Sequence, residues 1–210
     1  VDQLSRRRDK LIQDGGPAQT VARHLDRTIP IAYGADALGQ VAAYRFKCQV
    51  NENAKAPAFA GVVPEMCHNE ICGWGQHGDV TRQTMSVVRF RHDFEHPQNA
   101  RRFQLTFDAI DGVVHAVVDI EAQGDGPLAQ LFDLILQGDF VSLHLAADAG
   151  VDPGPIPVLE NLKAALARSA PVGSLPGLIR VLRLQPAHDR QPRACHPLRR
   201  APRRNPHDPP

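Results

Sequence analysis

The segment Ile29-Pro-Ile-Ala-Tyr-Gly34 constrains this chain more than any other. It is a short apolar run that ends on a glycine, which reads as a buried strand closed by a tight turn. An amphipathic pattern follows at once, with Leu38, Val41, Ala42, Phe46 and Val50 on one side of a helix over residues 37 to about 53. A strand, a tight turn and a helix in that order form the α/β unit. The alternation continues along the chain. Residues 85–91 and 113–120 predict two more strands, and residues 98–110, 128–147 and 155–168 predict three more helices. A turn at Asp111-Gly112 ends the first of those helices. Residues 64–72 predict a short helix with Pro64 at its first position. Residues 1–27 predict helix broken in two at Gly15-Gly16-Pro17. The fold class that follows is α/β: a three-layer α-β-α sandwich with a mainly parallel sheet, whose ligand site lies beyond the carboxyl ends of the strands.

Composition narrows the function. At 42% apolar and 22% charged residues, the chain has the make-up of a soluble globular protein. It has no run of about 18 apolar residues, so no membrane span is indicated. The start, Val1-Asp-Gln-Leu-Ser-Arg-Arg-Arg, lacks the apolar core of a secretory signal and an initiator methionine, which reads as a processed or truncated start. The cysteines Cys48, Cys67, Cys72 and Cys195 form no C-x-x-C pair. Cys67, His68, Cys72 and His77 match no common zinc spacing, so no metal is expected and the thiols read as reduced and cytoplasmic. Charge is uneven. Residues 169–210 hold eight arginines against Asp189 and Asp208, a segment of +6, which leaves −5 on residues 1–168. A body of that sign is not a nucleic-acid binder. The Arg/Pro-rich tail cannot bury much apolar surface and reads as disordered, or as out-of-frame translation of a GC-rich gene.

Residues 45–74 place polar groups where a plain core would not. Asn51, Glu52, Asn53 and Lys55 close the long helical pattern, and His68, Asn69 and Glu70 sit beside Met66, Ile71 and Trp74. Ionisable groups among apolar walls are how proteins build sites with shifted pKa values. Duller readings stand beside this one. Glu52 fits a helix-end carboxylate on a wet surface, and His68 fits a satisfied polar residue at the start of a short helix. Trp74 fits the core, and His77, His92, His96 and His115, which show no pairing pattern, fit structural positions.

The segments Ile29-Pro-Ile-Ala-Tyr-Gly34, Asn51-Glu-Asn-Ala-Lys55 and Pro64-Glu-x-x-His-Asn-Glu-Ile71 followed by Gly73-Trp74 resemble the second half of the bifunctional phosphoglucose/phosphomannose isomerases, which belong to the sugar isomerase (SIS) domain proteins. Asp152-Pro153 leading to Leu162-Lys163 extends the likeness, which covers residues from about 10 to 168. The resemblance implies residues 28–168 as the second SIS domain, with 1–27 as a helical lead-in and 169–210 as a tail. It implies interconversion of glucose 6-phosphate or mannose 6-phosphate with fructose 6-phosphate, with no cofactor. By the same likeness Glu52 is the base that moves a proton between C1 and C2. His68 helps open the sugar ring, and Lys163 is a lysine near the chain end that reaches the site. Asn51, Lys55, Asn69 and Glu70 then bind substrate or support the catalytic groups. The histidine of family members enters from a neighbouring subunit, so the implied partners are a phosphorylated hexose and a second copy in a homodimer, with no nucleic acid and no membrane.

The chemistry suits these residue types. Aldose–ketose isomerisation needs a base that removes a proton beside a carbonyl and returns it to the adjacent carbon, which a carboxylate does when its environment tunes it. A lysine ammonium stabilises the negative oxygen of the enediolate. Histidine moves protons near neutral pH during ring opening. Against the family pattern, no Gly-x-Ser-Gly cluster exists, and Ser5, Ser86, Ser142, Ser169 and Ser174 are the only serines. The phosphate-holding loops of the first SIS half are thus missing, and the chain reads as half of an isomerase. Lys163 also fits an ordinary surface lysine. A non-catalytic SIS module that binds sugar phosphates or a partner protein is the alternative.

Overall fold

The computed structural model describes residues 2–169. The expectations for Cys195 and for the tail beyond Ser169 lie outside the described residues. Helices α1 (Asp2–Leu11) and α2 (Pro17–Leu25) are separated where Gly15-Gly16-Pro17 breaks the pattern, with Pro17 opening α2. Then come β1 (Ile29–Ala35) and α3 (Asp36–Gln49), which runs on into a π-helical turn, Val50–Ala54. Strand β2 (Phe59–Val63) leads through a 3₁₀ turn, Glu65–Cys67, into the short helices α4 (Glu70–Gly73) and α5 (Gly78–Thr84). The remainder is β3 (Met85–Arg91), α6 (Pro97–Ile110), β4 (Val117–Glu121), α7 (Pro127–Asp148) and α8 (Pro157–Arg168).

The four strands form one all-parallel sheet in the order β2-β1-β3-β4. Parallel strands are buried on both faces, so their side chains divide between two cores. Ala32, Val88, Phe90 and Ile120 point to the first face and meet α2, α3 and α7 through Leu25, Phe46, Leu134 and Val141. Tyr33, Ala35 and Val87 point to the second face and meet Met66, Trp74 and, from α6, Phe103 and Phe107. The sandwich therefore has its three layers. It extends through Glu160; a second compact unit begins at Asn161, and its described residues, the end of α8 and Ser169, are all exposed. Among the described residues no helix is long and apolar enough to cross a membrane.

Helices α1 and α2 are part of this packing. Leu11, Ala18, Ala22 and Leu25 are buried in the first core. Arg7 Nε donates to Asp133 Oδ1 at 3.0 Å, and Asp133 is fully buried on α7. The other oxygen of Asp133 accepts from the Gln123 backbone N–H at 2.9 Å and from Gln137 Nε2 at 2.7 Å. Asp133→Asn turns one acceptor into a donor facing donors, whichever way the amide sits. It is expected to cost roughly 1–3 kcal/mol, read as a lower urea midpoint at unchanged slope.

Four elements differ from the sequence expectation. The expected helix over 64–72 is two short pieces, because Asn69 Oδ1 accepts the Glu70 N–H at 2.6 Å and starts α4 afresh. A side chain that caps locally competes with a continuing helix. Strand β4 begins at Val117, since Asp111–Val113 closes as a 3₁₀ turn and Val114 is buried in the second core. Strand β2 and helix α5 had no expectation: Phe59–Val63 is five residues with little alternation, and Gly78–Thr84 carries Val80 as its only large apolar residue.

Candidate active site

The sheet divides the candidate residues into two groups. Helix α3 leaves the carboxyl end of β1 and runs back along the first face, so the π-helical turn that closes it lies at the amino ends of β1 and β2. Glu52 is exposed on that turn. A cavity of about 280 Å³ beside it is lined by Val50, Ala54, Ala56 and Pro57 from this turn and its exit, with Thr28 and Ile29 before and at the start of β1. Glu52 is thus at the opposite end of the sheet from the carboxyl edge expected to carry the site. A helix that returns antiparallel to its strand must bring its last residues to the amino ends.

The neighbours of Glu52 hold its backbone. Asn51 Nδ2 donates to the Ala56 carbonyl at 2.9 Å. Lys55 has φ +55°, a left-handed conformation that ends the helix and is usually taken by glycine. Its Nζ donates to the Glu52 carbonyl at 2.5 Å and to the Pro153 carbonyl at 3.1 Å. Asn53 Nδ2 donates to Ser142 Oγ on α7 at 2.8 Å. Asn51 and Lys55 therefore support the turn through carbonyl groups rather than through ion pairs.

The second group leaves the carboxyl end of β2 and packs on the second face. Met66 is fully buried and Trp74 is 6% exposed, which makes Trp74 a core residue. Between them His68, Asn69 and Glu70 are exposed. Among the described residues no hydrogen bond or ion pair joins Glu52 to His68, and neither is enclosed by apolar walls as the sequence pattern suggested. Cys67 Sγ faces Thr106 Oγ1 at 3.3 Å. Lys163 is exposed on α8, in the second unit.

Tyr33 escaped the sequence reading, which counted it as one more apolar strand residue. It is 1% exposed, and its hydroxyl donates to Glu70 Oε2 at 2.8 Å. Burial first, and then the Glu70 carboxylate, push its pKa far above the usual tyrosine range; contact with Trp74 opposes them weakly. A signal existed, because a buried tyrosine hydroxyl needs a partner. His92 is buried, with Nε2 3.2 Å from the Ala35 carbonyl. His96 caps α6 by accepting the Gln98 N–H. Both are structural positions.

The doubly covered parallel sheet, with Glu52 on the turn closing α3 and a His-Asn-Glu turn after β2, defines an SIS-type α/β domain. The chain belongs to the family described as bacterial phospho-glucose isomerase C-terminal SIS domain, which matches residues 15–166. The bifunctional phosphoglucose/phosphomannose isomerase of Caldicellulosiruptor bescii is 36% identical over 79% of this chain and 49% of its own length. The protein of the same name from Thermoplasma volcanium is 31% identical over 80% of this chain and 53% of its own length. This chain thus spans about half the length of the curated relatives it matches. Among solved structures, a glucose-6-phosphate isomerase like protein from Thermus thermophilus superposes with a TM-score of 0.55 at 21% identity, covering 71% of this chain and 47% of that one. At that identity the likeness concerns the fold.

Proposed function

We propose that this chain supplies the proton-transfer groups of a phosphosugar aldose–ketose isomerase that interconverts glucose 6-phosphate or mannose 6-phosphate with fructose 6-phosphate. The observation that carries the reading is the 36% identity to the Caldicellulosiruptor bescii enzyme over 79% of this chain. In this reading residues 28–168 are the second SIS domain and 1–27 its lead-in, acting in the cytoplasm on a phosphorylated hexose.

Glu52 takes the proton from C2 of the open-chain aldose and returns it to C1 of the enediol. His68 moves protons between the ring oxygen and the C1 hydroxyl as the ring opens. Lys163 stabilises the enediolate oxygen. Asn51 and Lys55 hold the Glu52 turn, and Asn69 and Glu70 shape the His68 turn. Because Glu52 and His68 occupy opposite faces of the sheet, a site using both takes His68 from a second copy, which supports the homodimer reading. The exposure of both side chains supports the alternative of a non-catalytic sugar-phosphate-binding module.

The test measures fructose 6-phosphate formed from glucose 6-phosphate by this chain alone and after adding the separately expressed first half of the Caldicellulosiruptor bescii relative. Turnover in either case supports the isomerase. No turnover in both, with fructose 6-phosphate still bound in calorimetry, identifies the binding module instead.

A further inference from the structure

We propose that Tyr33 is the positioning residue of the His68 turn: its buried hydroxyl grips Glu70 and thereby fixes how His68-Asn69-Glu70 is presented above the second face of the sheet. This goes beyond the roles given above, and its kinetic arm alone rests on the isomerase reading.

The segment after β2 is tied to the body at Met66 and Trp74, both buried and largely apolar, and ahead of His68 by the Cys67 Sγ contact with Thr106 Oγ1 at 3.3 Å. Apolar contacts fix where a segment lies, but they are non-directional and leave its rotation loose. Between them the Tyr33 hydroxyl bond to Glu70, 2.8 Å long, is directional. Asn69 passes that constraint along the backbone, because its Oδ1 accepts the Glu70 N–H at 2.6 Å. His68 is the next residue upstream.

The path from Tyr33 to Glu70 is built by a missing side chain. Gly61 pairs with Tyr33 in the β1–β2 register. A Cβ at position 61 would overlap the Tyr33 ring and come within 3.1 Å of Glu70 Oε2. Phe107 packs on the other side of the ring, with centroids 5.5 Å apart. Glycine weakens a strand interior and often marks a close approach. Here that approach lets a phenol cross from the core to an exposed carboxylate. Burial first, and then Glu70, raise the pKa of the hydroxyl, which favours its protonated, donating form.

A phenylalanine at position 33 would fill the same space without the anchor, so Tyr33→Phe separates packing from positioning. The full chain is labelled for NMR, and the His68 ring resonances are compared in wild type and variant. The expected result is a shifted or broadened His68 signal, with amides of α2, α3 and α7 unchanged. In the assembly that turns over glucose 6-phosphate, kcat falls about ten- to a hundredfold, while KM stays within about twofold. Glu70→Ala removes the acceptor from an exposed position and reads the same contact should Tyr33→Phe not fold. In the double variant the two effects are expected not to add. An unchanged His68 signal in a folded single variant overturns the proposal, whatever the kinetics. A moved His68 signal in a chain without any turnover keeps the positioning role and sinks only the isomerase reading.

Discussion

On the isomerase reading proposed above, Glu52→Gln is expected to lower turnover by about 10²–10⁴-fold while leaving the fold intact. The size follows from the proposed role of Glu52 as the base. A general base contributes that much to a proton transfer, and glutamine keeps the shape of glutamate without its basicity. The clean separation from stability follows from the structure. Glu52 is exposed, and among the described residues its carboxylate makes no hydrogen bond or ion pair. The contact its residue does make, Lys55 Nζ on the Glu52 carbonyl, belongs to the backbone and survives the substitution. Unfolding midpoints should therefore match wild type, with a stability change within about 0.5 kcal/mol. Exchange of the C1 proton of fructose 6-phosphate with deuterated water should disappear together with net turnover. Undiminished turnover would remove Glu52 as the base. The same variant tests the proposed sharing of a site between two copies. Mixed and reassembled with His68→Ala, which is expected to be inactive as well, it should regain about a quarter of wild-type activity. Half of randomly paired dimers are then mixed, and each has one intact site. No recovery, in mixtures proven to exchange subunits, would mean that His68 does not act across the dimer.

The large elements were legible because their apolar spacing is long and regular. Ala42, Phe46 and Val50 are buried where the helical pattern over α3 and the turn after it put them, whereas Val41 of the same pattern is 50% exposed. Pro17 opens α2, as a proline after a glycine pair should. Legibility failed where a local polar contact or a short element decided the outcome. Asn69 restarts the helix after β2 with one hydrogen bond, which no periodicity announces. Strand β2 is an edge strand with its first residues exposed, so it lacks the apolar run that marked β1. The candidate site divides in the same way. Residue types and motif spacing singled out Glu52 and His68. Their placement on opposite faces is a property of the crossover, since a helix returning from β1 ends far from the turn that follows β2. Tyr33 was hidden for a third reason: its ring belongs to the core pattern, and only its hydroxyl, reaching Glu70, belongs to the site.

Gly34→Ala is expected to destabilise the domain by about 3 kcal/mol or more, a large part of the roughly 5–15 kcal/mol that holds a domain folded. The sequence marks Gly34 as the close of a strand. In the structure it lies within β1, paired with Val62 on one side and Phe90 on the other, and it needs no left-handed backbone. Its lack of a side chain serves packing instead. A Cβ at position 34 would overlap the carbonyl group of Gly39 and sit 2.7 Å from the Gln40 nitrogen. These are backbone atoms in the first turns of α3, so no rotamer change can relieve the clash. The helix must move off the strand, and that opens the first core around Phe46 and Phe90, whose rings pack at 5.5 Å. Gly39→Ala is the control. Its Cβ would meet Gly34 Cα at 3.1 Å and the Phe90 carbonyl at 3.2 Å, a shortfall of a few tenths of an ångström. Its cost should be smaller, about 1 kcal/mol. Urea unfolding of the two variants decides the point: the Gly34→Ala midpoint should fall much further, at unchanged slope. Equal, small shifts would mean that α3 rides on β1 with more clearance than the Gly34–Gly39 contact implies. Any displacement of α3 also carries the Glu52 turn at its far end. A Gly34→Ala protein that still folds should therefore lose turnover out of proportion to its lost stability.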